Sequence, residues 1–273
     1  MRMHERNGAR ELGLVIGTLA VLVHFLDGVA FWVITTLIVA TAVAGSLHLL
    51  GESRPWRVPL DRLTLPALAA FAAAGLAHLV NPVPWLALVS VGAWIVVALV
   101  VAVQTLPATG AEEEAEASAA GETAGHPRPL ASRIATLCVA FLAFSAVGGF
   151  VSGGLAFDAA TPATSVVAST ALYDLIIGGL VGFVMAAIRP HRRTDVVLAF
   201  VVYAAILGAA GAALRYVDMP RLLGPAILTL AAYLVTVFRD SAEPIWRSSR
   251  LIGETLVLGV AGCAVIVLGL LMR

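Results

Sequence analysis

Nine stretches of 16 to 25 apolar residues run through this chain of 273, at about 11–26, 29–50, 64–80, 84–104, 133–157, 166–188, 195–214, 221–238 and 251–272. A helix rises about 1.5 Å per residue and needs roughly 20 residues to cross a hydrocarbon core about 30 Å thick. Each block therefore has the length of one membrane crossing. Hydrophobic residues make up 60% of the chain and charged ones 12%, against about 25% charged in an ordinary soluble protein, and a water-soluble fold of this size could not hide so much apolar surface. The expected fold is all-α, a polytopic transmembrane helix bundle of about nine spans.

The cations set a direction. All 17 basic residues are arginine. Threading nine spans from a cytoplasmic N-terminus puts Arg2, Arg6, Arg10, Arg54, Arg57, Arg62, Arg128, Arg133, Arg189, Arg192, Arg193, Arg239, Arg247 and Arg250 inside, and only Arg215, Arg221 and Arg273 outside. That distribution follows the positive-inside rule. Trp32, Trp85 and Tyr216 then fall near the outer boundary, and Trp56 and Trp246 near the inner one. The first span has no small-residue cleavage site and reads as a retained helix, not a signal peptide. Cys138 and Cys263, both inside spans and without CxxC spacing, read as buried small side chains. The lysine-free, alanine- and arginine-rich composition points to the plasma membrane of a prokaryote.

Between the fourth and fifth spans, "PATGAEEEAEASAAGETAGHPRP" at 107–129 has no aromatic or bulky aliphatic residue. Such a segment buries too little surface to offset its ordering entropy and reads as a flexible cytoplasmic linker. It divides the chain into a four-span bundle at 1–104, a linker at 105–132 and a five-span bundle at 133–273. A likeness crosses the linker. "RPWR" at 54–57 matches "RPHR" at 189–192, "VNPVPWL" at 80–86 matches "VDMPRLL" at 217–223, and Asp27 matches Asp158. These offsets suggest a parallel 4+4 repeat with one span added.

Small residues recur at helical spacing. Ser145, Gly149 and Gly153 form one stripe and Gly178 with Gly182 another, the pattern that lets helix backbones approach closely in lipid. Polar residues inside spans are costly and therefore informative. Asp174 falls in the sixth block, in the outer leaflet under this threading. A helix starting near Thr170 would leave it in a first turn, where the dipole favours a carboxylate. An earlier start would bury it. His24 and Asp27 end the first span at spacing i, i+3, and His78 and Asn81 end the third the same way. Together with Asp174 they outline a candidate polar vestibule, although "LDG" at 26–28 also reads as a turn. His48 lies at the opposite membrane face from His24 and His78, so a haem arrangement is not expected.

The arginines at 54–62, 189–193 and 239–250 form a collar suited to anionic lipid headgroups. No segment is long enough to build a nucleic-acid-binding domain. HExxH, GxSxG and GxxxxGK[ST] are all missing, and no cofactor or metal site is expected. Three readings of function follow: a secondary transporter or permease for a small molecule; a non-catalytic membrane scaffold, sensor or assembly protein; and, behind these, an intramembrane enzyme using the outer histidine and aspartate groups.

Overall fold

The computed structural model describes residues 3–50, 58–80, 84–105, 130–154, 162–187, 193–216 and 223–240. They form eight helices: α1 (Met3–Val23), α2 (Gly28–Leu50), α3 (Leu60–Leu79), α4 (Pro84–Thr105), α5 (Leu130–Gly154), α6 (Ala163–Ala187), α7 (Arg193–Tyr216) and α8 (Leu223–Asp240). No strand occurs among the described residues. Six helices, α2 to α7, are long and apolar enough to cross a membrane, and α8 is a shorter apolar helix. That is the signature of a multi-pass helical membrane protein. The block at 251–272, the linker at 107–129, both arginine-proline turns, Asn81, Asp158 and Glu254 lie outside the described residues.

Helices form because hydrocarbon leaves the backbone no other partner than itself. The hydroxyls inside the spans obey the same constraint. Thr18, Thr41, Thr64, Thr136, Ser145, Thr229 and Thr236 each donate to the carbonyl four residues back, at 2.7 to 2.9 Å. These seven hydroxyls thus cost the spans little, whereas Thr35 Oγ1 and Ser46 Oγ of α2 are buried without a hydrogen-bond partner among the described residues. Pro66 sits within α3 and leaves the carbonyl of Arg62 without its helical donor. Pro84 opens α4, a position where its missing N–H would be unpaired in any case.

The first turn of chain departs from the span read in the sequence. α1 stops at Val23, and the amides of His24, Phe25 and Leu26 fold back on the carbonyls of Val21, Leu22 and Val23 at 3.2 to 3.3 Å. Gly28 then takes φ +59°, a left-handed conformation that glycine adopts without a Cβ clash, and α2 begins. His24 and Asp27 therefore belong to a tight connector and not to a continuing helix.

α3 is the axis of the assembly, packing on α1, α2, α4, α5 and α6. Its buried face is mostly alanine, with Ala69, Ala70, Ala72, Ala73, Ala74 and Ala77 all nearly inaccessible. Small side chains let five neighbours come close. At the crossing with α5, a Cβ on Gly149 would land on the backbone of Gly75, so the two helices touch main chain to main chain. α1 and α4 are joined by Ser90 Oγ donating to the Gly17 carbonyl (2.8 Å) and Trp94 Nε1 donating to that of Arg10 (3.0 Å). α6 and α7 form the most extensive pairing.

The perimeter is apolar. Val29, Val33 and Leu37 on α2, Leu88, Val91, Ile95 and Leu99 on α4, and Val197, Leu198, Val201 and Ile206 on α7 are all exposed. In water such continuous faces would drive association, whereas in a bilayer they are solvated by lipid. Cys138, read from sequence as buried, is instead exposed on α5.

Candidate functional site

His24 and His78 meet where α1 and α3 end side by side. His24 Nδ1 lies 3.0 Å from the carbonyl of Ala77, and His78 Nδ1 lies 3.4 Å from that of Val23. Each imidazole thus reaches a carbonyl in the last turn of the other helix, and the Val23 carbonyl also accepts from the Leu26 amide. His78 is further enclosed by the ring of Phe31 at 5.2 Å, edge to face, and by Gly153 of α5, whose Cβ would stand 2.8 Å from Nε2. Its Nε2 lies 3.6 Å from Asp27 Oδ1. The junction is therefore a clamp between two helix ends, and its carboxylate arm, Asp27, is 83% exposed.

Asp174 occupies a different setting. α6 begins at Ala163, ahead of Thr170, so Asp174 lies eleven residues in, about 16 Å from the helix start. It is the middle of a span and not a first turn. Thr170, Asp174, Gly178 and Gly182 share the buried stripe of α6 that faces α7. Asp174 is 2% exposed, and its Oδ1 has no hydrogen-bond partner among the described residues. Gly211 of α7 stands directly opposite, where a Cβ would come within 2.8 Å of the Asp174 Cβ and Cγ. Arg215 lies one turn further along α7. An ionised carboxylate buried in a span costs several kcal/mol unless it is paired.

Of the residues singled out in the sequence, the fold brings His24, Asp27 and His78 together. Asn81 is outside the described residues. Among the described residues no hydrogen bond or ion pair joins Asp174 to the histidine clamp. A run of rings fills the space between them. His78 touches Phe31, Phe31 touches Phe150 (5.8 Å), and Phe150 touches Tyr173 (5.8 Å), with Trp32 stacked against both Phe150 and Tyr173. Trp32 Nε1 is tied to the Gly154 carbonyl at 2.8 Å. Among the glycine stripes, Gly149 meets Gly75, Gly153 meets His78 and Phe31, and Gly178 and Gly182 meet Leu207 and Tyr203. Ser145 turns its hydroxyl to its own helix.

Sequence reasoning passed over Gly211 and Arg215. Their signal was available: they are one turn apart on the span that follows Asp174, and an antiparallel neighbour places such a pair beside it. Two apolar grooves were also not foreseen. One, of about 520 Å³, lies between α3 and α4 at the His78 end, and the other, of about 370 Å³, lies among α2, α3 and α6. Neither is lined by Asp174 or by the clamp. Among the described residues, no three histidine, cysteine or acidic side chains converge as a metal site would require. No family model matches this chain, and no curated protein or solved structure is significantly similar to it.

Proposed function

We propose that this protein is a secondary transporter for a small molecule, with Asp174 as the group that couples movement to a cation gradient. One observation carries this reading: a carboxyl group well inside α6, 2% exposed and with an unpartnered oxygen, facing α7 at Gly211, one turn before Arg215. Such a group has two states that differ in charge, one bound to a cation or proton and one attracted to Arg215. Intramembrane acids that alternate partners in this way serve as ion and proton relays. The full topology belongs to the same proposal: nine spans in a prokaryotic plasma membrane, with the N-terminus cytoplasmic and the arginine collar on anionic lipid.

A parallel repeat is part of it as well. In each half the first helix packs on the fourth and the second on the third, as α1 with α4 and α2 with α3, then α5 with α8 and α6 with α7. This adjacency supports the repeat without requiring it, since any up-and-down ring of four helices has it. The main junction between the halves, α3 with α5, has no comparable α7–α1 contact among the described residues. Any internal symmetry is therefore not a closed two-fold.

The test is solid-supported-membrane electrophysiology on proteoliposomes, screening classes of small solutes for gradient-coupled currents. Wild type should give currents with one class, and Asp174→Asn should abolish them. A variant that keeps the wild-type current would defeat the assignment.

A second reading, a non-catalytic scaffold, sensor or assembly protein, is favoured by the ring-filled space between the clamp and Asp174, where Phe71 and Phe150 stack at 3.8 Å. It predicts no current with any solute and one stoichiometric protein partner on purification in mild detergent.

A further inference from the structure

The groove between α3 and α4 is built by small residues. Ala69 and Ala73 of α3 and Gly92 and Ala93 of α4 set its walls back, and Leu142 of α5 closes its floor. Gly92 differs from the glycines at the helix contacts. A Cβ there would meet nothing within 4 Å, whereas at Gly13, Gly17, Gly75, Gly149 and Gly211 it would strike a neighbour. Gly92 does not serve close helix approach; it leaves room.

The slot runs from Trp85 to Val96 along α4, about 16 Å, and its volume of about 520 Å³ is that of a ligand site. Apart from the Trp85 indole, every side chain lining it is apolar. An ion, sugar or peptide would lose its hydrogen bonds there without compensation. The mouth is on the perimeter: Leu88 lines the slot and is 60% exposed, in the same exposed row as Val91, Ile95 and Leu99. The medium at that surface is bilayer hydrocarbon. At the slot's end, Trp85 is 58% exposed one residue into α4, where an indole sits at headgroup level.

We infer that this slot holds one acyl chain of a phospholipid from the leaflet at the His78 end, with the chain lying against Gly92 and the headgroup beside Trp85. An aliphatic chain fits because the lining is apolar along the slot's length, while Ala69, Ala73, Gly92 and Ala93 leave its middle open. The inference depends on the helices crossing a bilayer and not on transport.

The test uses the full chain in nanodiscs containing phosphatidylcholine with a diazirine midway along one acyl chain. After illumination, adducts are mapped by mass spectrometry. The expected result is labelling at Leu76, Leu88, Gly92 and Ala93 several-fold above that at the exposed Val197 and Val201 of α7, with Gly92→Leu removing the excess. Ala73→Leu, which fills the slot from the other wall, should do the same, and each variant is checked for a monodisperse peak before labelling. Labelling of wild type no higher in the slot than on α7 would overturn the inference, whatever the variants do. So would slot adducts that appear only after residues 251–272 are deleted, which would make that segment the occupant. A Gly92→Cys variant lacking Cys138 and Cys263 that crosslinks quantitatively to a second copy would overturn it in favour of a dimer interface. Loss of current in Asp174→Asn, or its persistence, leaves the lipid readout unaffected.

Discussion

A single missing methyl group decides how Asp174 is housed. At Gly211 the main chain of α7 comes close enough that any Cβ would press on the Asp174 Cβ and Cγ at 2.8 Å. The carboxyl group sits on a stripe buried from Thr170 to Met185, so it cannot swing away without opening the α6–α7 contact. Gly211→Ala should therefore cost about 1 to 3 kcal/mol, the usual penalty for overpacking, and lower the thermal unfolding midpoint in detergent. Gly92→Ala is the control, because its Cβ meets only open space; replacing an interior helical glycine by alanine should then stabilise by up to about 1 kcal/mol. Equal midpoints for the two variants would show that Gly211 is not in close contact. Trp32 offers a second test at this scale. Its indole N–H donates to the carbonyl of Gly154, the last described residue of α5. Trp32→Phe keeps most of the ring packing and removes the hydrogen bond, for an expected loss of about 1 kcal/mol in the same assay.

Helices in lipid gain nothing from hydrophobic exclusion of one another, so the choice of neighbour rests on fit. The crossing of α3 and α5 shows this most sharply. Gly148 and Gly149 are adjacent, yet a Cβ on Gly148 would meet only the tip of Leu79 at 3.3 Å, while one on Gly149 would meet the Gly75 backbone. A side-chain tip can shift and a packed backbone cannot. Gly149→Ala should accordingly destabilise by about 3 kcal/mol, near the upper end for overpacking, and Gly148→Ala by under about 1 kcal/mol. Thermal unfolding of the two variants, purified in parallel, gives the comparison, and a smaller effect at 149 than at 148 would contradict the crossing. This scale also shows where sequence reading reaches its limit. Eight of the nine apolar blocks coincide with helices, because length and composition alone satisfy the bilayer. The stripe through Gly149 was legible, since spacing by four is a local property. That Gly149 would face Gly75, a residue outside any noted stripe, was not, because partner choice is a property of two surfaces. The same holds for the polar residues. His24 and His78 could be placed at one membrane face by counting spans, but their exchange of carbonyls depends on α1 and α3 lying side by side. Asp174 could be placed in a span, but its burial depends on α7 crossing at a glycine.

Taken as one object, the helices have a consistent sense. His24 and His78 follow or end α1 and α3, Gly154 ends α5 against Trp32 near the start of α2, and Gly211 near the end of α7 faces Asp174 beside that same ring cluster. The four odd-numbered helices therefore finish at one end of the bundle. Arg10, Arg62, Arg133 and Arg193 lie near the starts of the four, at the opposite end, while Arg215 lies near the finish of α7. Counted over short loops, this is the asymmetry from which the positive-inside rule gives the cytoplasmic N-terminus of the proposed topology. If α3 to α6 all cross, four crossings separate the connectors at 51–57 and 188–192, which then share a compartment. Alkaline phosphatase fusions at residues 54 and 189 should both be inactive in a bacterial host, and fusions at 82 and 218 both active. Opposite outcomes at 54 and 189 would mean that an odd number of crossings separates them. One of α3 to α6 would then be a re-entrant or interfacial helix.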